Sequence, residues 1–298
     1  MENSQARGPR RDNHEERLSA ETKGRKLREA AGSKRSELVE KWLRLGADPN
    51  SQDGRTGLSA LALALKAGDV EITRMLLSAG ARDIPNNDGE SCFVMALMGS
   101  PAAALLLAGA GGFDLSGKSS RGETALMLAC ASSAHRLAAA VPRGVDEQAK
   151  RVAERAAAVD AMKLALSLPS ANVKEANSAG RTALMRAARQ CGREALSLIV
   201  GESDVKHADH QGMTALMCAA SCLNWEAVEM LLPLSNLDAV DQDGWSAEKF
   251  ALKSYRDHGP AFAKRLREYG EALKEAAVLA EASPADSGQA RPPARLRI

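Results

Sequence analysis

Gly112-Phe113-Asp114-Leu115-Ser116-Gly117-Lys118-Ser119 fits G-x-x-x-x-G-K-[ST], the pattern in which a Gly-rich loop cradles phosphates and its lysine reaches their outer oxygens. That chemistry needs a buried strand before the loop and a helix directly after Ser119, so that amide donors converge on the anion. Here AAALLLAGA precedes the motif and reads as a helix, while Ser120 to Glu123 continue as a turn towards Thr124. No apolar strand ending in Asp follows to hold magnesium. A P-loop nucleotide-binding enzyme rests on this motif alone.

The other reactive residue types are sparse. His207, Asp209 and His210 cluster within four positions, but a zinc site needs a fixed fourth ligand that this loop does not supply. Cys218 and Cys222 stand one helical turn apart without partner ligands. The five His, at 14, 135, 207, 210 and 258, lie near no nucleophile in a G-x-S-x-G context. No catalytic, metal or cofactor residue is assigned, and no cofactor is expected. Cys92, Cys130, Cys191, Cys218 and Cys222 are odd in number and mostly occupy small buried positions, which fits free thiols in a reducing cytosol.

What positions these residues is a repeat. Ser59, Ser91, Thr124, Thr182, Thr214 and Ser246 each follow a glycine by two positions and are separated by 32, 33, 58, 32 and 32 residues. A period near 33 means one supersecondary unit repeated, and 58 is one period with about 25 residues inserted. In the unit from Gly180, Thr182 caps a helix that buries Leu184, Ala187 and Ala188. REALSLIV from Arg193 follows, turning Ala195, Leu196, Leu198 and Ile199 towards the first helix. Glycine then ends the pair and a turn leads to the next cap. Units too small to bury their own apolar face must stack, and the product is an extended surface. Aromatics are only 3% of the chain, so Ala, Leu, Val and Met must fill the interior of close-packed helices.

The unit resembles the ankyrin repeat. The family phrase T-P-L-H-x-A is matched by Thr182-Ala183-Leu184-Met185-Arg186-Ala187 and Thr214-Ala215-Leu216-Met217-Cys218-Ala219. VEITRMLL from Val70 and WEAVEMLL from Trp225 match the family's second helix, and Gly46 to Asn50 its G-A-D-x-N turn. Replacement of the family Pro by Ala or Cys, and of His by Met, is similar to bacterial members. The resemblance implies a mainly α fold, an α-solenoid of about seven helix-turn-helix units, counting the caps, with short hairpin fingers. The expected layout is a disordered basic arm over 1–24, repeats over 25–270 with an insertion at about 134–158, a capping helix over 271–283 and a disordered tail over 284–298. The first unit, from Lys26, has lost its hairpin and capped start. At the other end Glu248 occupies a position where inner copies bury Leu, which marks the last repeat. Within the insertion, Pro142 and Gly144 mark a turn, and Asp146 can cap a helix running through Val152, Ala156, Val159 and Met162.

The same resemblance implies a partner protein on the concave face made by fingers and first helices. Finger candidates flank each leading glycine: Asp88, Glu90, Arg121, Glu123, Arg181, Gln211, Met213, Asp243 and Trp245, with His207 and His210 on one finger. At the ends of first helices stand Lys66, Arg189, Gln190 and Ser221. Trp245 suits a hot spot. With 40 basic and 38 acidic residues the chain has net charge +2, no general field for nucleic acid or membrane. No apolar run spans a bilayer and no signal peptide is read at the N-terminus. The expectation is a cytoplasmic, monomeric adaptor, inhibitor or immunity-type protein without a small-molecule substrate. The alternative is a bacterial effector exported into a host cell.

Overall fold

A computed structural model describes residues 13–131, 145–254 and 258–282. Helices form where a hydroxyl precedes an apolar run. Ser59, Ser91, Thr124, Thr182, Thr214 and Ser246 sit in extended backbone, and each accepts from the amide three residues on, at 3.1 Å for Ala62 and 3.4 Å for Met185. Each bond satisfies one of the orphan donors at a helix start. The order is α1 (Asn13–Glu16), α2 (Ala20–Gly32), α3 (Ser36–Arg44), α4 (Ala60–Ala67), α5 (Val70–Ser78), α6 (Cys92–Gly99), α7 (Pro101–Ala110) and α8 (Ala125–Cys130). Then follow α9 (Val145–Ser167), α10 (Ala183–Gln190), α11 (Arg193–Ser197), α12 (Ala215–Ser221), α13 (Trp225–Leu231), α14 (Ala247–Lys253) and α15 (Gly259–Ala282).

From α2 to α15 these make seven consecutive pairs. First helices pack in the succession α2, α4, α6, α8, α10, α12, α14, and second helices in the succession α3, α5, α7, α9, α11, α13. Among the described residues there is no named strand. Isolated bridges Gln52 to Ser59, Ala176 to Thr182 and Ala208 to Thr214 close the bases of three fingers. The core runs the length of the stack, with alanines such as Ala60, Ala96, Ala129, Ala187 and Ala219 fully buried where first helices meet. Small side chains allow that close approach, and Leu61, Leu97, Leu184 and Leu216 fill the space beside them.

Both ends depart from the sequence reading. Residues 13–24 are not a disordered arm: Ser19 caps α2, accepting from Thr22 N, so the first unit keeps its capped start. Polar side chains there serve packing. Gly24 is buried where a Cβ would lie 2.4 Å from Ser51 Oγ, Lys23 Nζ donates to Leu45 O at 2.9 Å and Lys41 pairs with Glu15 at 2.6 Å. At the C-terminal end α15 runs unbroken through 270 and 271. Gly270 does not end it, because the glycine admits Leu237, whose Cδ1 would stand 3.2 Å from a Cβ. Glu248 is half-buried and accepts from Arg267 at 2.6 and 3.0 Å, so α15 neutralises the carboxylate that replaces leucine.

The turn read at Pro142 and Gly144 lies outside the described residues, as do 1–12 and the tail from 283. Asp146 lies within α9, which is already helical at Val145. Ala158, Val159, Ala161, Met162 and Ala165 bury its second half, while Val152 is 64% exposed.

Candidate binding surface

Five of the six fingers are organised by one polar side chain three residues before the glycine; in the first, where that position is Gly54, Asp53 Oδ2 accepts from Thr56 N at 2.9 Å instead. Asn86 Oδ1 accepts from Asp88 N and Glu90 N at 3.0 and 2.9 Å, and Asn177 Oδ1 accepts from Ala179 N and Arg181 N, both at 3.0 Å. Asp209 Oδ1 accepts from Gln211 N and Met213 N at 2.9 Å, and Asp241 Oδ1 from Asp243 N and Trp245 N at 3.0 and 2.7 Å. Ser119 Oγ does the same for Arg121 N and Glu123 N. A side-chain oxygen thus replaces the missing strand partner of two amides. The glycine must be left-handed, as at Gly180 with φ 78°, where a Cβ would also come 2.8 Å from His210 N.

The fingers are joined to one another. Asn87 N donates to Thr56 O, Ser178 N to Arg121 O, His210 N to Ala179 O and Gln242 N to Gln211 O, at 3.0 to 3.1 Å. Between the third and fourth units a carboxylate takes the carbonyl's place: Glu90 Oε1 accepts Ser120 N at 3.1 Å and Ser120 Oγ at 3.0 Å. Burial opposes ionisation of Glu90, but the bonds from Ser120 and Asn86 outweigh it and hold its pKa below the ordinary value. The ladder crosses the insertion without interruption, because Ser178 reaches Arg121 across 57 residues of sequence.

This frame sorts the sequence-derived candidates. Asp88, Arg121, Arg189, His210, Gln211, Asp243 and Lys66 are exposed. Glu90 and Glu123 are not: both are 6% exposed, Glu90 in the ladder and Glu123 in an ion pair with Arg186 of α10. A partner cannot reach them. They follow the glycine on the side that turns into the stack, each held by its own finger's hub, Asn86 or Ser119, and by a partner 30 or more residues away in sequence. Arg181, half-buried, donates from Nε to Asp209 Oδ2 at 3.1 Å. His207 Nε2 lies 2.8 Å from Gly180 O, Gln190 Nε2 donates to Cys130 O at 3.1 Å and Ser221 Oγ donates to Cys218 O at 2.8 Å. Met213 is half-buried. So is Trp245, whose ring lies under the ammoniums of Lys253 and Lys249, at 4.2 and 4.9 Å, and 5.3 Å from Phe250. Trp225 instead packs edge-on to Phe262 at 5.4 Å, with Arg265 over its ring.

Sequence reasoning did not read Asn86, Ser119, Asn177, Asp209 and Asp241 as finger hubs, although a polar residue three before five of the six glycines recurs with the repeat and could have revealed them. The P-loop-like segment is not a strand-loop-helix: it links α7 to a turn, Lys118 pairs with Glu175, and Ser119 is the hub of its finger. Among the described residues no three metal-ligating side chains converge. All five cysteines are free thiols, and burial pushes Cys92 to about 12 and Cys218 to about 11. No helix of the described residues is long and apolar enough to cross a membrane.

A family model for ankyrin repeats in three copies matches residues 27–116, 151–243 and 184–273. Among solved structures, the chain is similar to the human ASB11 ankyrin repeat domain, at 18% identity and TM-score 0.55 over 87% of this chain and 99% of that one. It is also similar to a chain from the complex of the predatory endopeptidase Bd0816 of Bdellovibrio bacteriovorus with the immunity protein Bd3460, at 23% identity and TM-score 0.50 over 69% of this chain and 96% of that one. No curated protein matches the sequence at a significant level.

Proposed function

The chain belongs to the ankyrin-repeat family, and from that premise we propose that it binds another protein through its concave surface, as an adaptor, inhibitor or immunity-type protein. The observation that carries this reading is the ladder. Hydrogen bonds between successive fingers fix the exposed side chains before any partner arrives, so little ordering entropy is lost on contact. The structural neighbour from an endopeptidase–immunity protein complex supports an inhibitory role, in which the solenoid occludes a partner. We assign the chain no chemistry of its own. Five free thiols, four of them buried, support a cytoplasmic location.

The test is affinity capture from native lysate with cross-linking to map the contact. Gln211→Ala with Trp245→Ala on the concave side should lose the partner, while Arg74→Ala on the exposed side of α5 should keep it. Cross-links confined to second helices, or loss of the partner only in the Arg74 variant, overturn the reading.

A further inference from the structure

The fourth position after each cap forms a row along the first helices, buried at Met95, Leu128 and Cys218 and half-buried at Leu63, Arg186 and Phe250. In five copies it is apolar: Leu63, Met95, Leu128, Cys218 and Phe250. In the copy directly after the insertion it is Arg186, the row's one charge. Its carboxylate partner is Glu123, on the preceding finger and buried. Arg121 stands on the same finger, across Gly122 from Glu123, and Arg189 lies one helical turn beyond Arg186 on α10. Burial and the fields of Arg189 and Arg121 together lower the pKa of Arg186, so the three guanidiniums share one electrostatic site. Arg121 and Arg189 are exposed and make no ion pair among the described residues. Nearby Asp209 is already engaged by Arg181. Three cations against one carboxylate leave two positive charges uncompensated in the groove, in a chain whose total is only +2.

We propose that this junction of the fourth and fifth units is the seat of an acidic polypeptide segment, with Arg121 and Arg189 gripping its carboxylates beside half-buried Arg186. The proposal deepens the reading of the concave face as a protein-binding surface and rests on it. A guanidinium's planar fork matches a carboxylate in two hydrogen bonds. Polypeptide fits better than nucleic acid. Asp88 and Asp243 are exposed on other fingertips, so a uniformly charged strand running along the fingers would meet repulsion there, whereas a polypeptide can confine its carboxylates to the arginine cluster. Half-buried Met213 further along gives apolar contact for a segment that mixes acidic and aliphatic residues.

The experiment is fluorescence anisotropy on the full chain, with a labelled peptide of alternating Glu and Leu, its Gln counterpart, a single-stranded oligonucleotide, and phosphatidylserine vesicles in competition. The Glu peptide should bind, weaken as salt is raised, and lose about tenfold or more in affinity in Arg121→Glu/Arg189→Glu. Arg74→Glu/Lys163→Glu carries the same charge change on second helices and should bind like the parent. Circular dichroism must show both double variants folded; if the groove pair unfolds, Arg121→Gln/Arg189→Gln replaces it. Equal losses in the two pairs, no binding of the Glu peptide, equal binding of the Gln peptide, or tighter binding of oligonucleotide or vesicles each overturn the proposal. If Gln211→Ala/Trp245→Ala still abolishes capture of the native partner in that case, the concave-face reading stands and only the acidic seat is wrong.

Discussion

Asp209 separates the frame of a finger from its decoration. Its side chain is 1% exposed, Oδ1 accepts two amides at 2.9 Å, and Oδ2 accepts Arg181 Nε at 3.1 Å. Asp209→Ala removes two charge-assisted hydrogen bonds worth about 1.5 kcal/mol each or more, and leaves the Gln211 and Met213 amides short of an acceptor. The Arg181 pair adds less than about 1 kcal/mol, because that guanidinium is 34% exposed and screened. The sum is a loss of about 3–5 kcal/mol. Asp209→Asn should cost about 1 kcal/mol or less, since Asn86 and Asn177 hold the same two amides in their fingers with a neutral oxygen at 2.9 to 3.0 Å. Urea denaturation followed by circular dichroism at neutral pH measures both. Equal losses for Ala and Asn, or an alanine variant within about 1 kcal/mol of the parent, would show that the hub does not organise the finger.

Leu184→Ala, at a position 1% exposed between neighbouring first helices, should cost about 2–4 kcal/mol by cavity formation, whereas exposed Arg121→Glu should leave the melting midpoint nearly unchanged; thermal unfolding compares them. Because the pKa of Glu90 is lowered in the folded chain, its stabilisation is present above the unfolded value and lost as pH falls through the folded one. Glu90→Gln should therefore flatten the loss of stability below about pH 4.5 in an acid titration, and an unchanged acid limb counts against the carboxylate's place in the ladder. Gly212→Ala combines φ 81° with a Cβ 3.0 Å from Asp241 Cα, while Gly244 has φ 71° and open space. Gly244→Ala should cost about 1 kcal/mol in denaturant, and Gly212→Ala about twice that or more, with faster hydrogen exchange at the Gln242 amide.

The fold was legible because its signals are local and repeated. Thr182 and Thr214 cap where the sequence places them, and Leu184, Ala187, Ala195, Leu196 and Ile199 are buried as the helical period requires. The ends were less legible because their stabilising contacts are tertiary. Nothing near Gly24 says that Ser51 will press against it, and nothing at Gly270 says that Leu237 will pack there rather than the helix stop. The surface was legible only in outline. Glu90 and Arg181 occupy the same register after their glycines, yet one accepts inside the stack from Ser120 and the other reaches along the groove to Asp209. Which way such a side chain turns depends on a neighbour a full period away, beyond the reach of any local pattern.

That register argues for an asymmetric groove. The position after the glycine is Glu90 and Glu123 in the third and fourth units, both closed into the frame; it is half-buried once before them, as Leu58 in the second unit, and three times in succession after them, as Arg181, Met213 and Trp245 in the fifth to seventh. Closed positions stiffen the ladder and offer a partner nothing; half-buried ones keep one edge in contact with the stack and present the other. Rigid, partly covered side chains lose little freedom on binding, and a Trp held between Phe250 and two ammoniums is already in one place. Contact energy should thus concentrate from Arg121 towards Trp245, while the first three units act as a stiff extension whose task is to hold that half of the cradle in shape.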